Sequence, residues 1–154
     1  MPNRLLTIIA VFTVVALSAQ NSLIRMPSLS PDASELAFSY QGDIWTYNFS
    51  TEQYKRLTIH EAYESNPIWN KKGTSIAFSS NRKGGNNIFK VAAKGGIPKQ
   101  ITYYPTTDTP YDWTVNNNIL FTTNRVIKGP EWDAQTYKVN ADGGTPERAM
   151  LALG

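Results

Sequence analysis

The sequence predicts an all-β fold built from about three copies of one four-stranded unit. Three observations carry this. First, a short apolar strand recurs: Leu36-Ala37-Phe38-Ser39-Tyr40, then Ile76-Ala77-Phe78-Ser79-Ser80-Asn81-Arg82 forty positions later, then Ile119-Leu120-Phe121-Thr122-Thr123-Asn124-Arg125 forty-three beyond that. Second, the flanking segments recur in step with it. Third, glycine- and asparagine-rich turns, rather than helix caps, separate the copies' strands.

Each unit reads the same way along the chain. An opening strand ends in a turn: Pro27 to Asp32, Pro67 to Gly73, and Pro110 to Asn117. The repeated apolar strand follows. A third strand comes next, as Asp43-Ile44-Trp45-Thr46-Tyr47, Asn87-Ile88-Phe89-Lys90-Val91 and Gln135-Thr136-Tyr137-Lys138-Val139. The turns Ser50-Thr51-Glu52, Gly95-Gly96 and Gly143-Gly144 then lead into the closing segments Lys55-Arg56-Leu57-Thr58, Lys99-Gln100-Ile101-Thr102 and Glu147-Arg148-Ala149-Met150. Paired glycines supply the positive φ of tight hairpins, and Asn116-Asn117 serves in the same way. Runs such as Ile76-Ala77-Phe78 do not alternate with polar residues, the pattern of strands buried on both faces. A unit of about 40–45 residues with four strands is the period of a propeller blade. The expected fold is therefore a partial β-propeller of about three four-stranded blades, with units at about 26–60, 61–104 and 105–154.

Residues 1–19 read as a signal peptide ahead of that propeller, which takes 20–154. Arg4 precedes the nearly unbroken apolar run Leu5 to Leu17, and the small residues Ser18 and Ala19 follow. The expected cleavage is after Ala19. The run is shorter than the roughly 20 residues a membrane span needs, so no stable membrane anchor is expected. The predicted location is exported, periplasmic or secreted.

Composition narrows the function. The chain of 154 residues is 41% hydrophobic and 18% charged, an ordinary globular balance. The net charge of +3 is small, and Lys71-Lys72, Arg82-Lys83 and Lys94 fall at turns, where they read as solvated charges. No nucleic-acid partner is expected from them. The absence of cysteine excludes disulfides, thiolate metal sites and a Cys nucleophile.

The units resemble the TolB-like, WD-repeat-like propeller blade, whose consensus runs Pro-x-Trp-Ser-Pro-Asp-Gly, Ile-Ala-Phe-x-Ser, Asp-Ile-Trp or Asn-Ile-Phe, Gly-Gly and Leu-Thr. The likeness covers Met26 to about Met150. The first unit keeps Ser30-Pro31-Asp32 but has Ala33 where glycine is usual; the other two replace Ser-Pro-Asp with Asn70-Lys71-Lys72 and Val115-Asn116-Asn117. Gln41-Gly42-Asp43-Ile44-Trp45 and the stretch Arg56 to Pro67 are similar to the amino-terminal propeller of exported tricorn-type serine peptidases. That resemblance implies a non-catalytic propeller segment at the amino terminus of a longer peptidase, serving as scaffold and peptide-access module. The implied partners are the remaining blades and catalytic domain of the parent, and peptides or envelope proteins. No catalytic motif of the family falls on any position here. A TolB-type periplasmic interaction propeller with no associated enzyme is the second reading, and the propeller of an amidohydrolase-like or prolyl-oligopeptidase-like enzyme the third.

Candidate sites are few. No catalytic residue, cofactor or metal site is expected. His60, the only histidine, has no accompanying nucleophile elbow or metal-ligand spacing and reads as a loop residue at a blade junction; contact at a channel mouth is its alternative. Tyr63 lies in the same link. Gly84-Gly85-Asn86-Asn87 joins two strands and lacks the helix a phosphate loop needs. Trp69 and Trp113 occupy equivalent strand positions and read as repeated core; Trp45 aligns with Phe89 and Tyr137 and reads likewise. Trp132, in the insertion Val126 to Asp133, does not repeat and is the better candidate for a partner contact. Glu64 and Asp108 both precede an opening strand. They read as solvated loop acids, with a negative channel rim as the alternative.

Three blades cannot close a ring of the usual four to eight. The first and third units are thus expected to leave apolar faces uncovered, with Ile119 and Phe121 near water. Two chains pairing into a six-bladed ring would cover them.

Overall fold

The structure, a computed structural model, describes residues 23–125 and 135–149. The segment expected to be a signal peptide and Trp132 lie outside these residues. Strands β1 (Arg25–Leu29), β2 (Glu35–Tyr40), β3 (Asp43–Asn48) and β4 (Gln53–Arg56) make the first sheet. Strands β5 (Glu64–Trp69), β6 (Ser75–Lys83), β7 (Gly85–Ala92) and β8 (Lys99–Gln100) make the second. The third holds β9 (Asp108–Trp113), β10 (Asn118–Thr123), β11 (Gln135–Asn140) and β12 (Glu147–Arg148). Each sheet is antiparallel and its strands lie in chain order, which is the four-stranded blade that the repeat implied.

Local chemistry repeats with the strands. The turn between the first two strands of each sheet places one residue in the left-handed region: Ala33 at φ 57°, Gly73 at 68° and Asn117 at 62°. Each donates its N–H to the carbonyl three residues back, at 2.9, 3.0 and 3.1 Å. The residue opening that turn caps the next strand by side chain: Ser30 Oγ, Asn70 Oδ1 and Thr114 Oγ1 accept from the N–H of Glu35, Ser75 and Asn118. At the outer edge, Thr58 and Thr102 Oγ1 each accept an edge N–H, from Ile44 and Ile88, at 2.9 Å. These bonds satisfy backbone groups that the short fourth strands leave unpaired.

The sheets pack face to face through two apolar clusters. One joins Ala37, Ile44 and Leu57 of the first sheet to Trp69, Ile76, Phe78, Phe89 and Val91 of the second. The other joins Ala77, Ile88 and Ile101 of the second sheet to Trp113, Ile119, Phe121, Tyr137 and Val139 of the third. Each junction thus sets an alanine and aliphatic residues of one sheet against a tryptophan and two further aromatic rings of the next. Burial of each large side chain contributes about 1.5–3 kcal/mol. A serine on the second strand of one sheet also crosses each junction to the opening strand of the next. The Ser39 hydroxyl donates to the Glu64 carbonyl, and that of Ser79 to the Asp108 carbonyl at 2.9 Å.

Only the second sheet has both faces covered among the described residues. The bulky face of the first sheet is open, and Ile24, Phe38, Tyr40, Trp45 and Tyr54 line a groove of about 430 Å³ on it. Trp45 is accordingly half-buried, whereas Phe89 and Tyr137 at the same position are buried. Ile119 and Phe121 do not sit near water as expected: both are fully buried against the second sheet. Register explains it, because alternate residues of β10 point to opposite faces and Leu120 and Thr122 take the open side. The burial of β10 alternates accordingly.

Candidate functional site

The opening strands β1, β5 and β9 lie beside one another at one edge of the three sheets. That edge corresponds to the channel side of a propeller. At the end where β5 and β9 begin, two features meet at each junction: the hairpin between the second and third strands, and the link arriving from the previous sheet.

The first such junction forms a groove of about 490 Å³ whose lining includes Arg25, Tyr40, Gly42, His60 and Tyr63. Asp43, buried at the start of β3, organises it. Its carboxylate pairs with Arg56 and accepts from the His60 N–H at 3.1 Å. The Glu64 N–H donates to the Gly42 carbonyl at 2.8 Å, which ties the link to the hairpin. His60 is exposed, and its Nδ1 accepts the Ala62 N–H at 2.9 Å. That bond assigns the neutral ring's proton to Nε2. Tyr63 stands at the rim, half-exposed.

The second junction repeats the arrangement with a groove of about 290 Å³ that includes Lys83, Gly85, Gln100, Tyr103 and Tyr104. A Cβ on Gly85 would meet the Thr106 carbonyl oxygen at 2.8 Å, so glycine there permits close approach of link and hairpin. The Gly84-Gly85 pair serves this contact between strands.

Glu64 and Asp108 are neither solvated nor rim-forming. Both are fully buried on their opening strands. Arg125 grips Asp108 with Nη2 at 2.6 Å and Nε at 3.3 Å, and Arg82 pairs with Glu64. Each guanidinium also lies over aromatic rings, at 4.9 Å from Phe89 and 4.8 Å from Tyr104. Burial lowers the pKa of Arg82, partly offset by the charge of Asp43. Arg82 is thus not the solvated turn charge that its place beside Lys83 implied. The first sheet lacks this pair: the equivalent positions hold Ile24 and Gly42.

The arrangement presents tyrosines, one histidine, cations and the exposed Glu61 at the mouth, with Glu64 and Asp108 sealed below. Among the described residues no group of three or more acidic or imidazole side chains is placed to hold a metal ion. His60 has its Nδ1 engaged by backbone, and among the described residues no hydroxyl is hydrogen-bonded to its ring. Sequence reading found His60, Tyr63, Glu64 and Asp108 but missed Arg25, Tyr103 and Tyr104. It also missed the arginine partners, although Arg82 and Arg125 repeat in step with the acids.

The family model for the tricorn protease N-terminal β-propeller domain matches residues 21–154. The chain belongs to this family. It is also similar to the Tol-Pal system protein TolB of Francisella tularensis subsp. tularensis (strain WY96-3418), at 33% identity over 97 residues, covering 59% of this chain and 22% of that protein. Among solved structures, the putative TolB from Agrobacterium tumefaciens matches with a TM-score of 0.71 at 23% identity, over 84% of this chain and 50% of that one. The tricorn protease matches with a TM-score of 0.66 at 16% identity, over 79% of this chain and 12% of that one. These structural likenesses establish the propeller fold. The chain spans about a fifth of its curated relative and half of the putative TolB.

Proposed function

We propose that this tricorn-family propeller is a non-catalytic module of an exported tricorn-type peptidase, acting as scaffold and as the mouth through which unfolded peptides reach a catalytic domain. The observation that carries it is the family match over residues 21–154. The mouth supports the same role. Its repeated tyrosine-lined grooves offer flat aromatic surface to an extended chain, and its buried acids are already neutralised by arginine. The likeness to TolB favours a second reading, an exported propeller that binds envelope proteins without an associated enzyme.

Immunoblotting of the organism's periplasmic fraction with an antibody against this chain separates the two. The tricorn-type reading predicts a polypeptide well above four times 17.2 kDa, with a mature start near Gln20. A polypeptide two to four times this mass that copurifies with envelope proteins supports the TolB-type reading instead. An unprocessed Met1 terminus in the membrane pellet contradicts export and both readings with it.

A further inference from the structure

We propose that the second groove at the mouth is a selective pocket: it seats one primary amide, a glutamine or asparagine side chain of the incoming peptide, on the buried oxygen of Asn87. The inference rests on the peptide-receiving role proposed above. The two grooves share a framework and differ at the floor. Asn87 stands in β7 where Asp43 stands in β3, each two residues before the position that pairs with the fourth strand, Phe89 with Gln100 and Trp45 with Arg56. Thr102 follows as Thr58 does, with the same bond from an edge N–H. The acid and arginine of the first floor are thus matched by two amides in the second.

That difference leaves an acceptor unpaired. In the first groove Asp43 Oδ2 pairs with Arg56, and Oδ1 accepts from the Thr58 hydroxyl at 3.4 Å and the His60 N–H at 3.1 Å, so the floor is complete. In the second, each amide turns its NH2 to backbone. Asn87 Nδ2 donates to the Gly85 carbonyl at 2.9 Å, and Gln100 Nε2 to the Thr102 carbonyl at 2.8 Å. The reverse orientation of Asn87 would set its oxygen against the Gly85 carbonyl, which fixes the assignment. Asn87 is 2% exposed, and its Oδ1 has no hydrogen-bond partner among the described residues. A buried acceptor in that state costs the full desolvation of the oxygen, and native folds nearly always supply a donor.

The lining decides which donor fits. Lys83, Gln100, Tyr103, Tyr104 and Pro105 enclose with Asn87 about 290 Å³, just under the roughly 300–1,000 Å³ of small-molecule pockets and suited to one side chain. A carboxylate brings only acceptors and would face Asn87 Oδ1 with another oxygen. An ammonium would meet the exposed Lys83 and no acid among the lining residues, and Asp108 on the next sheet is already held by Arg125. An aliphatic side chain would leave the oxygen unpaired. A primary amide donates to Asn87 through its NH2 and offers its carbonyl to Lys83. Tyr103 is 73% exposed and anchored by its hydroxyl to the Gln100 carbonyl at 3.1 Å, so its ring gives the peptide main chain an aromatic surface at the rim. The first groove, with its floor complete and with Arg25 and Glu61 in its lining, carries no such preference.

Fluorescence anisotropy on the full chain recovered after export reads this with labelled Gly-Ala decapeptides that carry Gln, Glu, Lys or Leu at the centre. The Gln peptide should bind about fivefold more tightly than each of the others, the gain expected of one hydrogen bond. Asn87→Asp with Gln100→Arg, which copies the first floor, should bring the Gln peptide to the level of the Leu peptide. Lys83→Glu, an exposed change that leaves the floor intact, should raise the Lys peptide above the Leu peptide. Equal binding of all the peptides, a Gln preference that survives the double variant, or a Lys peptide unmoved by Lys83→Glu overturns the amide pocket while leaving the peptide-receiving mouth intact. Binding of none of them overturns both.

Discussion

Arg125 and Asp108 form a two-pronged ion pair, 2.6 and 3.3 Å long, in which the carboxylate is fully buried and the guanidinium lies over Tyr104, Phe121 and Tyr137. Breaking such a pair leaves a buried charge unmatched. Asp108→Ala should therefore lower the free energy of unfolding by about 3–5 kcal/mol in urea titrations. Replacing both partners, as Asp108→Leu with Arg125→Met, should recover most of that loss. A cost for Asp108→Ala below about 1 kcal/mol, the range of exposed pairs, would contradict the structural role.

The three left-handed turn residues give a graded test. Ala33 adopts φ 57° with a side chain that the left-handed region disfavours, while Gly73 fills the equivalent place without that strain. Ala33→Gly should stabilise by up to about 1 kcal/mol, and Gly73→Ala should destabilise by about as much. Thermal denaturation of the two variants reads both signs. A destabilised Ala33→Gly variant would contradict the turn geometry.

Acid should weaken the fold in a defined window. Hydrogen bonds from the Ser30 hydroxyl, then from the Ser34 N–H and hydroxyl, lower the Asp32 carboxyl from its ordinary 3.8 to about 2. Asp112 is lowered by its bond to Lys71, and Asp142 by its bond and charge contact with Lys90, each partner lying on the neighbouring sheet. A depressed carboxyl contributes stability that is fully present above its unfolded pKa and lost as pH falls through the folded one. Wild type should thus exceed Asp32→Asn in stability at pH 6, with the gap closing between pH 3.8 and about 2. A gap that is constant down to pH 2 would show that the carboxylate charge is not what the turn uses.

Much of this fold was legible because the repeat is written in residues that each turn and strand needs locally. Ser39 with Ser79, Gly73 with Asn117, and Thr58 with Thr102 recur at matching places, and each recurrence names a backbone demand. The ion pairs were not legible in that way. Glu64 and Arg82 are eighteen residues apart, and Asp108 and Arg125 seventeen, so only the register of two strands brings them to the same end of a sheet. Read locally, Arg82 beside Lys83 looks like a turn charge and Glu64 like a loop acid. Trp45 misled for a related reason. Its strand position matches Phe89 and Tyr137, but its burial depends on a sheet that does not precede the first among the described residues. His60 and Tyr63 were found through the link that carries them, whereas Tyr103 and Tyr104 escaped because their groove depends on the close approach at Gly85.

Photo-cross-linking at the mouth tests the proposed role most directly. A benzophenone amino acid at Tyr63 or Tyr103, both exposed in the links, should capture denatured casein. The same group at Val115, which is 83% exposed at the opposite end of β9, should not. The casein should remain uncleaved, with or without His60→Ala. Equal capture at Val115, or hydrolysis abolished by His60→Ala, would contradict a non-catalytic module that receives peptides at its mouth.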